Sequence, residues 1–112
     1  MKKIEAIIRS EKVGAVRKAL EEVRCSGVTI TQVDGHGKQR GTVQKLQGEE
    51  FKVGILPKTK IEIISDDREV KPIIAAILAA ARTGQIGDGK IFISNIEEII
   101  RIRTGEKGKK AL

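Results

Sequence analysis

Ile4, Ala6 and Ile8 recur at a period of two, and Val13, Val16, Ala19, Leu20 and Val23 follow at once at helical spacing. A period of two lines one face of a strand, and a period near 3.6 lines one face of a helix. The β-branched run VTITQV at 28–33 then reads as a second strand, with Ser10 as a cap for the helix and Cys25-Ser26-Gly27 as its stop. The succession returns later. TKIEII at 59–64 predicts a strand and Ser65-Asp66-Asp67 a cap region. Val70, Ile73, Ile74, Ile77, Leu78 and Ala81 form a helical stripe, and KIFIS at 90–94 a fourth strand. Two strand-helix-strand halves can bury both apolar stripes only by placing two helices on one face of a shared sheet.

That arrangement is an α+β fold, the ferredoxin-like βαββαβ sandwich. EEIIRIR at 97–103 predicts a short final strand, and TGEKGKKAL a mobile C-terminal extension. The chain has 112 residues, room for a single domain over 1–112 with a core that needs no disulfide. Cys25 is its one cysteine, which excludes a disulfide framework and suits a cytoplasmic protein. The N-terminal run is broken by Glu5 and Arg9, so neither a signal peptide nor a spanning helix is expected.

Lys and Arg number 22 against 15 Asp and Glu, a formal charge of +7 that favours anionic partners. With no Trp or Tyr, and Phe51 and Phe92 as the only aromatics, the stacking platforms of single-strand binders are missing. No nucleic-acid partner is therefore expected. Within TGQIGDGKIF, Gly84, Gly89 and Lys90 have the G-x-x-x-x-G-K spacing of a phosphate-cradling loop. Ile91 stands where a P-loop needs the hydroxyl that binds magnesium, and the loop leads from helix to strand rather than the reverse. Taken alone, the glycines fit a helix C-cap and turn as well as a ligand cradle. The connection from Gly35 to Pro57 far exceeds the ~2–5 residues of a hairpin, a length that marks functional or disordered loops.

Collinear segments over essentially the whole chain, TGQIGDGKIF at 83–92, IRIRTGE at 100–106, GHGKQRG at 35–41 and LPKTKIEI at 56–63, resemble the PII signal-transduction proteins. The resemblance implies a homotrimer that binds ATP or ADP in clefts between subunits and senses 2-oxoglutarate together with ATP and Mg2+. It implies a mobile T-loop at 37–55, a phosphate-binding loop at 82–90 and a C-terminal loop at 102–112. It assigns the phosphates to Gly87, Asp88, Gly89 and Lys90, with Arg101 and Arg103 from the neighbouring subunit and Lys38 where an arginine is usual. Thr29, Gly35, Glu62 and Ile64 would line the base and ribose, with Gly37 beside the nucleotide. Gln39 would help ligate magnesium and 2-oxoglutarate, and Lys58 would pair with a 2-oxoglutarate carboxylate. The partners implied are proteins of nitrogen and carbon metabolism or a transporter docked through Gln47, Glu50 and Phe51. A membrane would then be reached only through such a channel or transporter.

Several positions depart from the family pattern. Phe51 replaces the uridylylated tyrosine and has no hydroxyl to modify, and Glu49 replaces a serine phosphorylated in some relatives. Gln47 replaces a docking arginine, while Asp34 and His36 replace a basic and an aromatic residue beside the nucleotide. The expected protein is thus a non-enzymatic sensor without uridylylation. The alternatives are a small acylphosphatase-like phosphoryl hydrolase, which lacks a convincing base, and an RNA-binding ferredoxin-like domain supported by charge alone.

Overall fold

β1 (Lys2–Arg9) buries Ile4, Ala6 and Ile8 and turns Lys3, Glu5, Ile7 and Arg9 to the opposite face. The computed structural model describes residues 1–35, 43–46, 49–52 and 56–112, with the backbone alone for 43–46, 49–52 and 56. After β1 come α1 (Val13–Glu22), β2 (Thr29–Gly35), β3 (Val43–Leu46), β4 (Glu49–Lys52), β5 (Leu56–Ser65), α2 (Val70–Ala81) and β6 (Gly89–Asn95). One antiparallel sheet has the order β2-β5-β1-β6, and β3 and β4 pair as a separate two-stranded ribbon. The ferredoxin-like sandwich expected from the sequence is the observed fold.

The core forms where the two periodicities meet. Ile4 and Ile8 from β1 and Ile61 and Ile63 from β5 pack beneath Val16 and Leu20 of α1 and Ile73 and Ile77 of α2. Each large side chain buried in this way contributes about 1.5–3 kcal/mol. Among the described residues the other sheet face carries no helix, and cross-strand charges occupy its centre. Lys3 lies 3.1 Å and Lys60 3.4 Å from the Glu62 carboxylate, and both stand near Glu5 at 4.0 and 3.9 Å. Opposite charges placed across strands support the pairing.

Four local expectations change. Ser10 does not cap α1, because a 3-10 turn over Ser10–Lys12 intervenes and its Oγ lies 3.0 Å from Thr59 Oγ1. α1 stops before Cys25, where Arg24 takes a φ of 58°. Residues 97–103 form no final strand. The sheet ladder ends with the Ile96 amide on Met1 O, and the chain then folds back on itself through an Ile100–Lys107 bridge. The extension is tied down as well, with a 3-10 turn over Gly108–Ala111 and Lys109 lying 3.5 Å from Asp66. Asp66 caps the 3-10 turn Asp67–Glu69 that leads into α2, the Arg68 amide donating to its Oδ1 at 3.1 Å, while α2 itself begins after Glu69 without a side-chain cap. Among the described residues no helix is long and apolar enough to cross a membrane.

Candidate functional site

The glycine loop connects α2 to β6 at the end of the sheet where β1 finishes and β5 begins. Gly84, Gly87 and Gly89 take φ values of 87°, 107° and 99°, which a side chain opposes. At Gly89 space is also missing, since a Cβ would stand 1.7 Å from the Ile7 carbonyl oxygen. The loop can therefore follow its path only with glycine at this point.

Asp88 braces the loop from inside. Its Oδ2 accepts the backbone amides of Thr83 and Gly84, each at 2.8 Å, and its Oδ1 accepts the Thr83 hydroxyl and Arg9 Nε, the latter at 3.1 Å. The Thr83 hydroxyl foremost, with the two amides and Arg9, holds the carboxyl well below the usual carboxylate range. The Asp88 amide donates to Gln85 O at 3.3 Å. Nominated as a phosphate contact, Asp88 is placed here with both its carboxylate and its amide engaged within the molecule.

Two cations grip the next turn of backbone. Arg9 Nη2 donates to Ile86 O at 2.9 Å, and Lys58 Nζ donates to Gly87 O at 2.6 Å. Arg9 and Lys58 are direct register partners on β1 and β5. Like charges opposite one another repel, so this pairing needs the carboxylate and carbonyl oxygens gathered around it. Lys58 is only 8 % exposed, and burial first, with the neighbouring Arg9 charge second, pushes its ammonium pKa down. Lys90, the second residue of β6, pairs with Ile7 and is exposed. The chemistry is that of an anion site, with positive groups and glycine backbone at a sheet end.

A second cluster lies farther along the sheet. Thr29 and Glu62 are register partners, and with Ile64 they line a cleft of about 910 Å³ that Gly27, Ile99 and Leu112 also border. Glu62 is held below its usual pKa, chiefly by the hydrogen bond from Lys3. The Glu62 carboxylate is thus already engaged by Lys3 and Lys60. Ser65 Oγ, buried and without a partner among the described residues, belongs to a residue that borders the same cleft. Glu62 lies four positions beyond Lys58 on β5, about 13 Å of strand.

The structure brings Thr29, Glu62 and Ile64 together, and Lys58 together with Gly87 and Asp88. Arg101 and Arg103, expected to come from a neighbouring subunit, have other surroundings within this chain. Arg101 Nη1 pairs with Glu106 at 3.1 Å and its Nη2 donates to Leu112 O at 3.2 Å, while Arg103 is exposed. Gly35 ends β2 opposite Leu56. Gly37, Lys38, Gln39 and Gln47 lie outside the described residues, as does His36, and Glu50 and Phe51 are described by their backbone in β4. Arg9 and Thr83 were missed by sequence reasoning, although Thr83 stands directly before the first loop glycine. Among the described residues no group of three His, Cys, Asp or Glu could hold a metal ion. Burial pushes the Cys25 thiol pKa up, which disfavours the reactive thiolate.

Comparison with known proteins agrees with this architecture. The family model described as "Nitrogen regulatory protein P-II" matches residues 1–106. The chain is 51% identical over 112 residues to the "Nitrogen regulatory protein P-II 2" of Methanothermobacter thermautotrophicus, covering 100% of this chain and 97% of that protein. It is 54% identical to the "Nitrogen regulatory protein P-II" of Bradyrhizobium diazoefficiens and 50% identical to that of Nostoc punctiforme, with both chains of each pair fully covered. Full-length matches at this identity, on a ferredoxin-like sheet with a braced glycine loop, place the chain in the nitrogen regulatory protein P-II family, whose members are signal-transduction regulators and not enzymes.

Proposed function

We propose that this protein senses ATP or ADP together with 2-oxoglutarate, and regulates proteins of nitrogen metabolism through residues 37–55. The observation that carries the reading is the loop at one sheet end, where Asp88 braces the backbone and Lys58 stands beside Gly87. An anion placed there meets one buried ammonium and the exposed Lys90. Phosphate recognition suits such a site, and the cleft at Thr29, Glu62 and Ile64 suits a purine and ribose. A single nucleotide reaches both chemistries when the cleft of one subunit faces the loop of the next, which is the reason for a homotrimer. Phe92, Ile100 and Ile102 are exposed at 51, 56 and 100 %, apolar surface that supports burial against neighbouring copies.

ATP fits the donor set present. Magnesium would draw its oxygens from ATP and 2-oxoglutarate, with Gln39 as the protein's contribution, since the described residues hold no carboxylate or imidazole cluster of their own. When bound it supplies charge neutralisation between the two ligands. The protein acts in the cytoplasm and docks a metabolic enzyme or a transporter through Gln47, Glu50 and Phe51. Phe51 excludes uridylylation at that position.

The test is ATP titration by calorimetry of the wild type and of Lys90→Ala and Arg103→Ala. Each substitution weakens ATP binding about ten-fold or more, the size of a lost charge-assisted contact. Unchanged affinity in both variants contradicts the phosphate assignment.

A further inference from the structure

We infer that Arg9 is a positioning residue, which fixes residues 83–88 in their anion-accepting shape and, by occupying Asp88, leaves the Lys58 ammonium available to an anion. The inference rests on the sensor reading above, and it adds a residue that neither the glycine loop nor the family resemblance singled out.

Three cross-strand facts combine. Arg9 and Lys58 stand opposite each other on β1 and β5, so Asp88 has two cations within its neighbourhood. Asp88 Oδ1 takes its hydrogen bond from Arg9 Nε, whereas Lys58 Nζ donates to the neutral Gly87 carbonyl. Arg9 therefore takes the direct hydrogen bond of Asp88, while Lys58, which feels the Glu11 and Asp88 charges, spends its own hydrogen bond among the described residues on a neutral carbonyl. The guanidinium suits this division, because its fork reaches Asp88 and the Ile86 carbonyl at once, and an ammonium lacks that planar pair of donors. The base of Arg9 is fixed too: Ser10 follows it and is joined to Thr59, which is fully buried next to Lys58.

Without the guanidinium, Lys58, which faces position 9 and already feels the Asp88 charge, is free to turn to Asp88, and an Asp88–Lys58 pair would both quench the anion site and pull the loop out of shape. Arg9→Gln keeps much of the side-chain length and removes the charge. Arg9→Lys keeps the charge with one donor direction and should recover part of the loss. Two measurements decide. In the ligand-free protein, amide hydrogen exchange at Thr83 and Gly84, whose N–H groups donate to Asp88, accelerates at least about ten-fold in Arg9→Gln and less in Arg9→Lys. In calorimetry, ATP affinity falls about ten-fold in Arg9→Gln, and Arg9→Lys lies between it and wild type.

Unchanged exchange overturns the proposed hold on the loop. Faster exchange with unchanged ATP affinity overturns the positioning role, since bracing would then be structural only. Thermal melts of both variants identify a general loss of folding, in which case Arg9→Lys alone is read. A wild-type protein that binds no ATP overturns the sensor reading instead, and the exchange measurement, which needs no ligand, still decides whether Arg9 shapes the loop.

Discussion

Gly89→Ala probes the loop's dependence on backbone alone. Two penalties add at this position. A side chain at positive φ costs roughly 1–2 kcal/mol, and Gly89 has a φ of 99°. The new Cβ would also lie 1.7 Å from Ile7 O, so β6 must retreat from β1 by more than an ångström to reach ordinary contact. Such a retreat opens the ladder where Ile8 faces Gly89, and each hydrogen bond lost there is worth about 1 kcal/mol. The total is about 3–5 kcal/mol, a large part of the ~5–15 kcal/mol that holds a domain together. Gly84→Ala is the matched control, because its φ is 87° yet among the described residues nothing beyond its chain neighbours lies within 4 Å of its Cβ position. It should lose about 1–2 kcal/mol from conformation alone. Urea unfolding at equal protein concentrations measures both, which matters if copies associate. If the two variants lie within about 0.5 kcal/mol of each other, a smaller gap than one hydrogen bond supplies, the steric account of Gly89 is wrong.

Other outcomes follow from the same structure. Leu20→Ala destabilises by about 2–5 kcal/mol in chemical denaturation, because Leu20 is 1 % exposed, whereas Leu78→Ala, 41 % exposed on α2, loses far less. Asp66→Ala lowers stability at pH 7 by removing the cap on the Arg68 amide. The Arg68 amide and guanidinium, in that order, push the Asp66 pKa down to about 2 from 3.8. A depressed carboxyl stabilises above its unfolded pKa and loses that effect as the pH falls towards the folded value. The gap between Asp66→Ala and wild type should therefore shrink between pH 3.8 and about 2 in denaturation series.

The sheet and helices were legible because their patterns are local. Ile4, Ala6 and Ile8 alternate for the reason that one face meets helices, and Ile73 and Ile77 repeat at one turn of helix for the same reason. Alternation misled at 97–103, where IIRIR has the period of a strand but the chain leaves the sheet after Ile96 and closes on itself at Ile100 and Lys107. Ser10 had the right type and place for a cap, but its hydroxyl meets Thr59, a partner 49 residues away that only the strand register reveals. The site divides in the same manner. The loop glycines and Lys90 could be read from spacing, and Lys58, Thr29 and Glu62 from family resemblance. Arg9 could not be found either way: its role depends on facing Lys58 across β1 and β5 and on Asp88 folding back towards both.

The central claim is that an anion at Lys58 and a nucleotide at the glycine loop bind as one coupled event. Coupling between two ligands is reciprocal and commonly worth 5- to 150-fold in affinity, about 1–3 kcal/mol. Calorimetric titration of 2-oxoglutarate into the protein with ATP and magnesium, with ADP, and with no nucleotide measures it directly. The account predicts binding at least about ten-fold tighter with ATP and magnesium than in the other two conditions. Equal affinity in all three, or no binding in any, would contradict it.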